Sequence, residues 1–255
     1  MEPLIPRQSD IIQLARKAGR VTVDPLAARF NVSPQTIRKD LSVLCKRGLL
    51  QRVHGGAVLS SGVANYAYEA RRTLAAEEKR LIGTAAAALI PDNCSLVINI
   101  GTTTEQVALC LGGKKNLLVI TNNINVVNIL LDDSDIDLIV AGGVVRHSDG
   151  GIVGEAAVGL IQQFKVDYAI IGASAIDQDG SIMDYDYREV KIAQAIIENA
   201  RHTILVADHM KFERTAPVRI GHLSQLDHFV TNRPLPEHLA RVCASGDVQV
   251  EIAAP

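Results

Sequence analysis

The stretch Asn31–Leu50 carries the side chains best suited to handling a polyanion. Gln35, Thr36, Arg38 and Lys39 are the residue types that hydrogen-bond base edges and phosphate oxygens in a DNA major groove. Ile37, Leu41 and Leu44 recur between them at the spacing of a buried helical stripe. Ser33 offers a capping hydroxyl, and Pro34 suits the first helical position, where its missing N–H costs nothing. Together these residues describe a helix that packs by one face and reads DNA with the other. The plainer alternative is a solvated helix whose charges only keep it soluble.

A second set of residues suits a small anion. Gly101-Thr102-Thr103-Thr104 follows an apolar run and opens a helix, so a glycine admits close approach while helix-start N–H groups and hydroxyls donate. A plain strand-to-helix turn capped by threonine would read the same way. Asn122 and Asn123 suit a ligand hydroxyl or, equally, a helix cap. Arg146 and Lys211 offer positive charge to a phosphate or belong to surface ion pairs, and Asp177 is a candidate for a polyol hydroxyl. Gly142 and Gly143 complete the set of polar or glycine positions that follow apolar runs.

These groups need elements to hold them. Arg7–Ala18 reads as a helix, and a short second one is expected with Asp24 as cap and Pro25 in first position, ending near Phe30. Asn31-Val32 then leads into the third helix, as a helix-turn-helix requires. Leu49–Val53 and Ala57–Leu59 read as two strands of a wing, with Arg52 and His54 placed for phosphate contact. Charge agrees: residues 1–57 hold ten basic and four acidic side chains, net +6, whereas the remainder is net −8. A basic head on an acidic body is the electrostatic footprint of a nucleic-acid-binding module.

Beyond Ala75, apolar strand patterns alternate with helical ones: Ser95–Ile100, Leu117–Ile120, Asp137–Val140, Asp167–Ala173, Thr203–Ala207 and Asp227–Thr231 are strands. Such alternation implies a mainly parallel α/β sheet covered on both faces, with ligands beyond the carboxyl ends of its strands. The expected organisation is a winged helix-turn-helix over 1–59, a linker over 60–75 and an effector-binding domain over 76–255.

The runs Val32–Leu41 and Arg52–Ala57 resemble the head of the DeoR family of bacterial transcriptional repressors. Glu77-Glu-Lys79, Ile100–Thr103, Thr121–Asn123, Ala141–Gly143 and Asp208–Phe212 extend that resemblance over nearly the whole chain. It implies an effector domain similar in fold to ribose-5-phosphate isomerase, with its phosphate loop at Gly101–Thr104. Two longer runs, Asp149–Glu155 and Ala195–His202, resemble the branch that responds to glycerol 3-phosphate, which makes that metabolite the favoured effector, ahead of other sugar phosphates. Two positions depart from the family: Asn99 replaces an aspartate, and Ala193 replaces a common lysine that Lys191 cannot mimic from another helix face.

The partners implied are double-stranded operator DNA and a phosphorylated metabolite, bound by a homodimer or homotetramer in the cytoplasm. No apolar run approaches a membrane span of about 20 residues. The four cysteines form no CxxC pair, the seven histidines lack metal-ligand spacing, and no cofactor is expected. The competing class is a sugar-phosphate isomerase with a DNA-binding head. It would need a positioned general base, for which Asp177 and Asp208 make no convincing pair.

Overall fold

The computed structural model describes residues 4–18, 20–47, 49–53, 55–59 and 68–254, so His54 lies outside the described residues. The chain divides into two compact units, Met1–Leu74 and Ala75–Pro255.

In the first unit α1 (Pro6–Ala18), α2 (Val23–Phe30) and α3 (Pro34–Lys46) surround a core containing Ile11, Leu26, Ile37, Leu41 and Leu44. Strands β1 (Arg20–Thr22), β2 (Leu50–Val53) and β3 (Gly56–Leu59) form an antiparallel sheet in the order β1-β3-β2. β1 went unread in the sequence because three residues carry no periodicity. Its approach depends on Gly56, where a Cβ would fall 2.0 Å from the Val21 carbonyl oxygen. The wing also moves the start of α2. Thr22 is the N-cap without a side-chain bond, and the Val23 N–H donates to the Gly55 carbonyl at 3.0 Å. Asp24 is therefore not the cap, and Pro25 is not in first position, because wing backbone does the capping.

Between the expected linker bounds lies a further helix, α4 (Tyr68–Thr73), with the Arg72 guanidinium 5.9 Å from the Tyr68 ring centre.

The second unit is a three-layer sandwich. In chain order come α5 (Ala76–Ala88), β4 (Ser95–Ile98), α6 (Thr102–Leu109), β5 (Leu117–Thr121), α7 (Ile124–Leu130) and β6 (Ile136–Val140). A small hairpin, β7 (Val144–Val145) and β8 (Ile152–Val153), leads to α8 (Glu155–Ile161) and β9 (Val166–Ile171). Then follow β10 (Ala175–Ile176), β11 (Ser181–Asp184), α9 (Tyr187–Glu198), β12 (Ala200–Val206), β13 (Val218–His222), β14 (His228–Thr231), α10 (Glu237–Ser245) and β15 (Gln249–Ile252).

Seven parallel strands order as β15-β14-β12-β9-β4-β5-β6. Alternate residues feed opposite faces. Leu96, Ile98, Ile170 and Ile204 pack with Ile82, Val107 and Val126 of α5–α7. Val97, Ala169, Leu205 and Phe229 pack with Ala157, Ile192 and Leu239 of α8–α10. Both faces are buried, which is why these strands read as continuous apolar runs. β10, β11 and β13 form a separate antiparallel sheet whose two- to five-residue strands were not legible. Among the described residues no helix is long and apolar enough to cross a membrane.

Candidate nucleic-acid interface and effector site

The Ser33 Oγ accepts from the Thr36 N–H at 3.2 Å, and the two hydroxyls lie 2.9 Å apart, so Ser33 caps α3 as expected while tying Thr36 to the cap. Beyond that turn the helix separates its faces: Ile37, Leu41 and Leu44 are fully buried, whereas Gln35, Arg38 and Lys39 are exposed. Those three, with Ser42, Cys45, Lys46 and exposed Arg52 of β2, line one open concavity. Burial pushes the Cys45 thiol above its ordinary pKa, with the nearby Arg52 guanidinium opposing. One buried charge holds α3 in place. Asp40 accepts from Arg7 Nε at 2.7 Å and from Gln8 Nε2 at 3.0 Å, clamping α1 to α3. Sequence reading passed over Asp40, though an acid inside the apolar stripe of a basic helix was the available signal.

In the second unit the chain runs from β4 outward through β5 to β6, then returns to β9 on the other side and continues to β12. The strand order therefore reverses between β4 and β9, and crevices at such points receive ligands in open α/β sheets. Gly101–Thr104 and Gly172 meet there: a Cβ on Gly172 would lie 3.7 Å from Thr104 Cγ2. Gly101 has φ 154°, and a Cβ on it would meet Thr104 Oγ1 at 3.2 Å. The three threonines are not equivalent. Thr104 Oγ1 donates to the carbonyls of Asn99 and Gly101 at 2.7 and 2.8 Å, so its hydroxyl holds the turn together and is not offered to a ligand. Thr102 and Thr103 are 7 % and 6 % exposed, and among the described residues their hydroxyls have no hydrogen-bond partner. With the first-turn N–H groups of α6, they are donors of the kind that an anion takes. Asn99 is buried beside them; its Oδ1 accepts from the Ile100 N–H at 2.8 Å.

The remaining candidates part company. Asn122 is fully buried, donating through Nδ2 to the Ile152 carbonyl at 3.2 Å, while its Oδ1 has no partner among the described residues. Asn123 caps α7 by accepting from the Asn125 N–H at 2.9 Å and donates to Glu105 at 3.1 Å, which is a structural role. Gly142 and Gly143 are exposed; a Cβ on Gly143 would meet the Val153 carbonyl oxygen at 2.7 Å, so that glycine serves the β7–β8 hairpin. Arg146 is not an available phosphate cation. It bonds Asp149 at 2.7 and 2.8 Å, Glu189 at 2.6 Å and Asp186 at 3.1 Å, all with its side chain only 18 % exposed. Asp177 lies in the β10–β11 turn, where its N–H donates to the Ser181 carbonyl at 2.9 Å. Its turn is held by the Leu223 N–H donating to the Gly180 carbonyl and by His222 against Asp179, the segment that feeds the amino end of β14. Lys211 does follow β12, in a short 3-10 turn capped by Asp208, whose Oδ1 accepts from the Met210 N–H at 3.0 Å. Ala193, the other departure from family pattern, is fully buried in the face packed by α9, where it fills apolar space.

A winged helix-turn-helix in one unit and a doubly wound α/β sheet in the other is the make-up of a transcription regulator with a sensor unit. The chain belongs to the DeoR family: residues 7–62 match the DeoR-like helix-turn-helix domain, and residues 74–233 match the DeoR C terminal sensor domain. It is 44 % identical over 246 residues to the glycerol-3-phosphate regulon repressor of Escherichia coli (strain K12), covering 96 % of this chain and 98 % of the relative. The protein of that name from Haemophilus influenzae is 46 % identical over 225 residues, covering 88 % of each. The HTH-type transcriptional repressor CsqR of Escherichia coli (strain K12) is 36 % identical over 250 residues, covering 98 % of this chain and 95 % of the relative. Among solved structures, a D-ribose-5-phosphate isomerase in complex with phospho-erythronic acid aligns over 54 % of each chain at TM-score 0.41 and 17 % identity. The full-length sorbitol operon regulator SorC from Klebsiella pneumoniae aligns over 89 % of this chain and 95 % of its own at TM-score 0.43 and 12 % identity.

Proposed function

We propose that this protein is an operator-binding repressor of a carbon-catabolism operon, released by a phosphorylated metabolite, glycerol 3-phosphate before others. The observation that carries the effector half is the start of α6 at the β4–β9 reversal, where Gly101 bares the backbone and the hydroxyls of Thr102 and Thr103 have no hydrogen-bond partner among the described residues. The exposed Gln35, Arg38, Lys39 and Arg52 carry the DNA half. The names of the relatives favour glycerol 3-phosphate. Control requires the effector to bind two states of the protein with different affinity. A single recognition helix makes few base contacts, so we infer a symmetric oligomer on a palindromic site, working in the cytoplasm. Turnover is not part of this reading. Asp177 sits in the β10–β11 turn, and Asp208 is buried and caps its own turn at Met210.

The test uses the full chain. A site selected from a random duplex pool should be palindromic, and glycerol 3-phosphate should dissociate the complex where glycerol does not. Release by glycerol alone, or by no phosphorylated compound in a panel, would refute the effector assignment.

A further inference from the structure

Arg7 stands in the first turn of α1 and meets Asp40 of α3 in a way that a purely structural ion pair does not need. Arginine and carboxylate frequently join fork to fork, through two parallel bonds. Here Asp40, 5 % exposed, takes one bond from Arg7, from Nε to Oδ2 at 2.7 Å, while its Oδ1 accepts from Gln8 Nε2 at 3.0 Å. Gln8 thus occupies the oxygen that a second guanidinium bond would use. Both Nη groups of Arg7 are left over. Among the described residues they have no hydrogen-bond partner, and the Arg7 side chain is 28 % exposed against 6 % for Asp40. A clamp alone would be served as well by a single ammonium.

Helix periodicity places this pair at the edge of the DNA-facing side of α3. Successive residues turn by about 100°, so Asp40 and Cys45 lie about 140° apart around the helix. Ile37, Leu41 and Leu44 fill that arc and are fully buried. The remaining arc holds Gln35, Arg38, Lys39 and Ser42, all exposed. Arg52 of β2 lies close to the Cys45 thiol at one border of the exposed arc, and Arg7 meets Asp40 at the other. A major groove about 12 Å wide just admits a helix about 10–12 Å across, which leaves one phosphate strand along each side of it.

We propose that Arg7 is a backbone contact of the head: its Nη fork binds an operator phosphate on the side of α3 opposite Arg52. Asp40 and Gln8 are its positioning residues, since together they fix Nε and turn the fork outward. This rests on the reading that α3 enters a major groove. A phosphate offers two oxygens to a planar fork, so the match is bidentate, and such a contact fixes register and affinity without reading bases.

The test uses the full chain and an operator duplex, read by salt dependence and by single methylphosphonate substitutions that remove the charge of one phosphate at a time. In wild type, one substitution per half-site should report Arg7. Arg7→Lys keeps one bond to Asp40 and loses the fork. It should melt close to wild type and bind operator about 10-fold more weakly, with the salt slope lowered by roughly one unit per protomer and no response left to that one substitution. The selected base sequence should not change. The neutral pair Arg7→Met/Asp40→Asn leaves no buried charge uncompensated and should lose the same phosphate, with thermal melting to establish that it folds. Wild-type affinity and salt slope in Arg7→Lys overturn the assignment. Weaker binding with every methylphosphonate effect intact overturns it too, since Arg7 would then act only by setting the pose of α3. If wild type binds the duplex and both variants keep its full phosphate pattern, the operator reading stands and only Arg7 is wrong. If wild type shows no salt-sensitive duplex binding, the operator reading falls with it.

Discussion

The two units use charge in opposite ways. On α3 the cations Arg38 and Lys39 stand outside on the surface, and among the described residues the interior beneath them holds the carboxylate of Asp40, tied to Arg7 and Gln8. In the sensor unit the informative charges are inside: Lys79, Asp208, Asp149 and Glu189 are at most 9 % exposed, and Arg146 is bound by three carboxylates. The contrast follows from the ligands proposed. A duplex is a long polyanion met by mobile surface cations that release counter-ions. A small phosphate must be recognised by few groups, so they have to be prearranged away from water, where each interaction is stronger.

The largest effect that would sharpen this comparison is expected at Arg146. Arg146→Ala withdraws the guanidinium from Asp149 and Glu189, whose side chains are 3 % and 11 % exposed, and should destabilise the sensor unit by about 3–5 kcal/mol. Denaturant unfolding of the full chain measures it. A change below about 1 kcal/mol would mean that this buried network behaves like a surface one.

Next comes the crevice. Thr103→Val keeps volume and removes a hydroxyl, costing about 1–3 kcal/mol of effector affinity. Gly101→Val should cost more, since its φ of 154° disfavours a branched residue and Thr104 Oγ1 already lies 3.2 Å from the Cβ position. Both variants should still bind operator and resist release, giving constant repression in a reporter strain. Unaltered induction in both would move the site elsewhere.

On the head, Arg38→Ala should cost about 1–3 kcal/mol and relax preference at one base position per half-site. Lys39→Ala should weaken all duplexes alike and reduce the salt slope by roughly one unit per protomer. Identical behaviour of the two variants in a binding-site selection would erase the distinction between base and phosphate contacts.

The smallest effect concerns acid. Asp186 has its pKa lowered to about 2, first by the Arg188 side chain against opposing burial, then by the Arg188 N–H and Arg146. A depressed carboxylate stabilises the fold above its unfolded pKa and loses that contribution as pH falls through the folded value. Melting temperature should therefore decline from about pH 4 toward pH 2, and Asp186→Asn should flatten that decline. An unchanged slope would remove Asp186 from the network.

Much of this was legible in the chain because it is local. The Ser33 cap, the Ile37–Leu41–Leu44 stripe and the six apolar strands depend on neighbours within a turn or a single strand, and all appear near their expected bounds. The unread parts involve distant partners. Asp24 and Pro25 look like a helix start, but the Gly55 carbonyl captures the Val23 N–H and moves the start upstream. Gly101-Thr-Thr-Thr104 reads as three equal hydroxyls, and only the folded turn turns Thr104 onto the Asn99 and Gly101 carbonyls.

The sequence by itself therefore determined the division into two units, the cap and buried stripe of α3 and the apolar strands of the parallel sheet, since periodicity and capping act over short range. Tertiary structure decided which charges remain available. Arg146 meets Glu189 across 43 residues and Asp186 across 40. A cation's availability depends on which carboxylates the fold delivers to it, and no short-range pattern records that.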